Sequence, residues 1–146
     1  MMDLTHLLIS LVLMTGLSPV ACTQETDVRS IQLTERTRGT YRSIHVTPAH
    51  TVVVVNEDTS RTTTPTQTWQ ALTKQVQGLP VKKLAEFSSG GTRHQVDAAL
   101  QSQLVVETAG GTFSSPSFDH NRPPSELTGL QKALYALVPA GMKDRF

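Results

Sequence analysis

Cysteine is nearly absent. The 146-residue chain holds one, Cys22, so an internal disulfide framework is excluded. An excess of either charge is also lacking: 13 Lys and Arg stand against 12 Asp and Glu, a formal net charge of +1. A nucleic-acid partner, which would call for a clustered basic face, is therefore not expected. No apolar run reaches the ~20 residues that a helix needs to cross a hydrocarbon core. There is no Gly-X-Y period and no sustained heptad, which removes collagen-like and coiled-coil classes. Familiar catalytic signatures are missing as well. The chain has no G-x-S-x-G elbow, no G-x-x-x-x-G-K-[ST] loop and no glycine-rich dinucleotide fingerprint. Ser89-Gly90-Gly91-Thr92 lacks the Lys and the following helix that a phosphate loop requires. No cofactor is expected.

What is present begins with an address. Leu7 to Leu17 is mostly apolar, too short to span a bilayer but the length of a signal-peptide core. It breaks at Gly16, Ser18 and Pro19, and Ala21 then precedes Cys22. A small residue before a lone Cys, just after such a core, resembles a bacterial lipoprotein signal, in which the Cys becomes the lipidated N-terminus. The region before the core has no Lys or Arg, and Pro19 stands three residues before the Cys. The alternatives are a plain cleaved signal with Cys22 as a chance residue, a short buried helix, or a free thiol at Cys22. The expected organisation is a signal over 1–21, a polar tether over 22–29, one domain over 30–140 and a C-terminal tail over 141–146. The expected location is the bacterial envelope, lipid-anchored through Cys22 and facing the periplasm or the surface. A secreted soluble protein is the alternative.

Strand patterns come next. Ile31 and Leu33 alternate with polar neighbours, and the alternation carries on through Glu35 and Thr37. Gly39 suits a turn. Ile44 and Val46 then share one face, with Tyr41, Ser43 and His45 on the other. Thr51 to Val55 is the strongest β-branched run and reads as a central strand. Asn56 to Ser60 reads as a polar turn, and the Thr-rich stretch over 59–68 as loop and cap. Thr64, Pro65 and Gln67 spell a capping box for a first helix, whose apolar stripe is Trp69, Leu72, Val76 and Leu79. Gly78 and Pro80 end it. A hairpin follows. Leu100, Ser102, Leu104 and Val106 share a face, Ala109-Gly110-Gly111 turns, and Pro116 marks the return strand, Thr112 to Phe118, as an edge or ends its ladder. A second helix starts near Pro123-Pro124 with Glu126 in its first turn and a stripe through Leu127, Leu130, Leu134, Leu137 and Val138. The order βββ-α-ββ-α predicts an α+β fold: one antiparallel sheet of about five strands with two helices packed against it.

Four pieces in this order resemble a group of small lipoproteins of Gram-negative bacteria. They are Arg38-Gly39-Thr40-Tyr41, Trp69-Gln70-Ala71-Leu72, Arg93 with Asp97-Ala98-Ala99, and Phe118-Asp119-His120-Asn121-Arg122-Pro123-Pro124. The similarity spans roughly residues 30–138. It implies a signal and lipid anchor followed by one small α+β domain, and it implies no activity.

The densest polar cluster is Asp119, His120 and Arg122, where a strand passes into a helix start. Such an end offers amide N–H groups to an anion. It reads as a pocket for a carboxylate, phosphate or peptide terminus, or as a turn that satisfies its own polar groups. Arg38 and Arg93 present forks suited to a partner's carboxylate, or to Glu35, Asp97 or Asp119 within the domain. Tyr41 reads as a contact residue or as packed under a helix. Trp69, on the apolar stripe, reads as core. His45 with His50, and His94 with Asp97, fall short of the three or four ligands that a zinc site usually needs, so no metal is expected. The expected function is a non-enzymatic module that binds a protein, peptide or small anionic envelope ligand. A small periplasmic hydrolase using His120 with Asp119 or Asp97 is one alternative. A structural part of an envelope assembly is another.

Overall fold

The computed structural model describes residues 27–88 and 99–146. The expected signal segment, Cys22, and the candidates Arg93, His94 and Asp97 lie outside these residues. The described chain is α+β: one antiparallel sheet of seven strands, with two α-helices and three short 3-10 helices. Strands β1 (Val28–Thr37), β2 (Thr40–Val46), β3 (His50–Val55) and β4 (Asp58–Thr63) form a meander. Helix α1 (Thr66–Gln77) follows, and then β5 (Gln101–Thr108), β6 (Gly111–Ser114) and β7 (Phe118–Asp119). Helix α2 (Thr128–Tyr135) comes last. The spatial order is β4-β3-β2-β1-β5-β6, with β7 also paired to β5.

The strand count exceeds the expected five by two: β4 lies where a turn and loop are expected, and the expected return strand divides into β6 and β7. A two-residue hairpin makes β4. Val55 pairs with Asp58, and Asn56 takes a positive φ of 54° that Asn tolerates better than most residues. Asn56 also accepts the Tyr41 N–H on its Oδ1 at 2.9 Å, which fixes the neighbouring β1–β2 turn. Strand β4 reads Asp-Thr-Ser-Arg-Thr-Thr and is exposed along nearly its whole length. A strand with no buried face has no apolar alternation to announce it. The β5–β6 ladder stops at Ser114, before Pro116, and β7 resumes pairing with β5 at Phe118. Strand β1 starts at Val28, so the last two residues of the expected tether already belong to the sheet.

One sheet face carries the core. Cross-strand register sets Ile31, Val46 and Val106 in one row, with Leu33, Ile44, Val53 and Leu104 in the next. All seven are buried. Leu72 and Val76 of α1 and Leu130 and Leu134 of α2 join the same core, with Trp69 and Leu79 packed against it. Burying a Leu or Val side chain contributes about 1.5–3 kcal/mol. The opposite face carries Gln32, Thr34, His45, Val52, Val54, Gln103 and Val105, all half-buried.

Both helices start differently from the sequence expectation. The Thr64 capping box does not form. The Thr64 hydroxyl instead bonds Thr51 Oγ1 at 2.9 Å inside the protein, and Pro65 holds the cap position without a side-chain bond. A buried hydroxyl gains more from a fixed internal partner than from a helix end open to water. A 3-10 turn over Ser125–Leu127 precedes α2. After α2 the chain does not trail off. It forms a 3-10 helix over Ala140–Arg145, with Met142 buried and Phe146 packed against the core.

Candidate functional site

Glu35 follows Ile31 and Leu33 on the core face of β1 and is 0% exposed. A buried carboxylate is costly unless it is paired and hydrogen-bonded. The neighbouring strands supply the partners. Arg42 stands opposite on β2 and Ser102 opposite on β5. Arg42 donates from Nε to Glu35 Oε2 at 2.7 Å, and Ser102 Oγ donates to Oε1 at 2.7 Å. The hydroxyl of Tyr135, at the end of α2, donates to the same Oε1. Gln131, one turn earlier, donates from Nε2 to Tyr135 Oη at 2.9 Å and to the His120 carbonyl at 2.8 Å. The network thus ties β1, β2, β5 and α2 to the turn after β7.

Burial, then the adjacent Glu35 charge and its hydrogen bond, push the Tyr135 hydroxyl well above its ordinary pKa; the Gln131 bond and Arg42 oppose this. The neutral phenol is the form the site favours, and it serves as a donor.

Phe146 closes this end. Its ring lies edge-on to Tyr135, with centroids 5.7 Å apart, and the Arg42 guanidinium sits 4.8 Å from its centroid. Arg145 of the same 3-10 helix pairs with Asp58 in β4. A cavity of 280 Å³ opens here, lined by Arg42, Tyr135, Val138, Lys143 and Phe146.

At the other end of the same sheet face lies a second cavity, of 300 Å³. Val28 of β1, Val76 and Leu79 at the end of α1, Pro80, Val81 and Phe113 of β6 make its apolar walls. Lys82 and Lys83 also line it. The β5–β6 hairpin is fixed beside it. Thr108 Oγ1 accepts the Gly110 N–H at 3.1 Å, and Gly111 takes a φ of 141° that favours glycine.

The residues expected from the sequence fall elsewhere. Asp119 is 2% exposed in β7, His120 is half-buried just after it, and Arg122 is exposed. His120 joins the Glu35 network through its carbonyl. Arg122 donates its N–H to the Asp119 carbonyl at 2.9 Å, closing a turn. Arg38 is exposed in the β1–β2 turn, and Tyr41 is 43% exposed on the face opposite the core. None of the described expected residues lines either cavity. His45 and His50 reach the same outer face, but among the described residues no group of three or more His, Cys, Asp or Glu could hold a metal. Among the described residues, no helix is long and apolar enough to cross a membrane.

The sequence reading missed Arg42, Ser102 and Tyr135 as a unit. One signal was available: Glu35 continues the period of Ile31 and Leu33, which places a carboxylate in line with the core. Comparison with known proteins adds no relative: no family model, no curated protein and no solved structure matches this chain.

Proposed function

We propose that this protein is a lipid-anchored envelope module that binds an apolar ligand rather than transforming a substrate. The observation that carries this reading is the 300 Å³ cavity walled by Val28, Val76, Leu79, Val81 and Phe113. Its size lies at the lower end of ligand pockets, which run about 300–1,000 Å³ and are mostly apolar. Its place supports the reading too. Val28 opens β1 six positions after Cys22. An extended chain covers at most about 3.3–3.6 Å per residue, so a lipid-bearing Cys22 would keep the cavity mouth near the membrane surface.

The test has two arms. A fluorescent apolar dye such as N-phenyl-1-naphthylamine should brighten on binding the full chain. Val81→Trp, which fills the cavity from a half-buried position, should abolish the gain while leaving the circular dichroism spectrum intact. Dye that brightens equally with the variant removes the cavity from the reading. In cells, metabolic labelling with an alkyne fatty acid should mark the wild type and not Cys22→Ser. An unlabelled wild type whose fractionation is unchanged by Cys22→Ser rejects the anchor.

A further inference from the structure

The 280 Å³ cavity beside Arg42 points to a separate chemistry. A buried ion pair is a poor way to stabilise a fold, since apolar residues of the same volume are often as good or better. What the Glu35 network does achieve is placement. Glu35 and the Phe146 ring hold the Arg42 guanidinium between them, and its side chain is 12% exposed. The bond to Glu35 uses Nε, the nitrogen nearest the chain. The two NH2 groups lie at the outer end of the fork, on a side chain that forms part of the cavity wall. Lys143 adds a second cation to that wall, and Phe146, Tyr135 and Val138 add apolar surface. Glu35, behind the wall, is fully buried and bonded by three donors.

A guanidinium fork matches the two oxygens of a carboxylate or phosphate. A fork already held in position loses little rotamer freedom on binding, which favours affinity. We propose that the cavity between Arg42, Lys143 and Phe146 is an anion site for a small ligand that carries a carboxylate or phosphate on a flat apolar body. The 280 Å³ volume suits a single ring. Arg42 takes the anion, Lys143 adds charge at the rim, and the ring stacks along Phe146 and Val138.

The experiment is a titration of the full chain followed by two-dimensional amide NMR, with benzoate, phenyl phosphate, inorganic phosphate and benzylamine as probes. Benzoate or phenyl phosphate should shift amides around Arg42, Val138, Lys143 and Phe146, and whichever binds tighter identifies the head group. Inorganic phosphate should bind at least about tenfold more weakly than the better of the two, and benzylamine should leave the spectrum unchanged. Lys143→Glu, at an exposed position, should cost about tenfold in affinity with the fold intact. Arg42→Lys keeps the charge, removes the fork and should cost more. The proposal is overturned if neither aromatic anion binds at millimolar concentration, if benzylamine binds as well, if inorganic phosphate binds equally, or if Lys143→Glu changes nothing. Because the apolar dye reports on the opposite end of the sheet, failure here leaves the cavity at Val28 untouched, and failure there leaves this one.

Discussion

The two ends of the core face are built from the same strands and solve opposite problems. At the start of β1 and the end of β5, Val28 meets Thr108 and the space above is walled by Val76, Val81 and Phe113. Seven residues along β1, about 23 Å at ~3.3 Å per residue, Glu35 meets Ser102 and Arg42 in an ionic network. The apolar end has few groups needing a fixed partner, so its side chains can adapt to what enters. The ionic end is the reverse. The Glu35 carboxylate there is held by three donors from three elements, so its geometry is rigid and its loss is expensive. Shape selection suits the first end, and directional selection of an anion suits the second.

The sharpest way to break this contrast is to strand one charge. Arg42→Ala leaves Glu35 buried without its cation and should destabilise the protein by about 3–5 kcal/mol, read by urea unfolding. Glu35→Leu combined with Arg42→Met should recover part of that loss, since neither charge then remains buried while Ser102 and Tyr135 each lose an acceptor. A double variant as weak as the single one would mean that the network stabilises the fold in its own right. Next to the apolar cavity, in the 3-10 helix over Val81–Glu86 that supplies Val81, Lys82 and Lys83 to its wall, Leu84→Ala removes a side chain that is 1% exposed and should cost about 3 kcal/mol in the same assay.

Tyr135 gives a smaller, pH-resolved effect. Its hydroxyl pKa is raised in the folded state above the ordinary value of 10.0. The stability it contributes is therefore fully present below pH 10.0 and is lost as pH rises beyond it. Thermal midpoints measured upward from pH 9 should fall for the wild type, and the fall should be shallower for Tyr135→Phe. The smallest effect belongs to the exposed Arg145–Asp58 pair. Arg145→Ala should change stability by less than about 1 kcal/mol, and high salt should erase the difference.

How much of this was legible in the sequence follows from which physical signal each part emits. The β1–β2–β3 meander, α1 and α2 bury one face each, so Ile44 with Val46 and Leu72 with Val76 announce them by period. Strand β4 buries almost nothing and was hidden; its only marks were Asn56 at the turn and a run of Thr and Ser, which reads equally well as loop. The Thr64 cap failed because a local pattern cannot foresee a partner 13 positions back in Thr51. The Glu35 network is harder still. Its members are separated by 7, 67 and 100 positions, and only strand register brings them together. Asp119, His120 and Arg122 drew notice because they are crowded in sequence, whereas the residues crowded in space were spread along the chain.

Strand β4 has one further consequence. It lies outside β3, whose Val52-Val53-Val54-Val55 run would otherwise form the margin of the sheet. An unpaired strand of four valines is a template for adding chain after chain into a fibre. The polar hairpin covers that template with Thr, Ser and Arg side chains and presents an edge with little to offer a second copy. The strand that contributes least to the core is thus the one that keeps the sheet finite, and solubility, more than stability, is what its loss would cost.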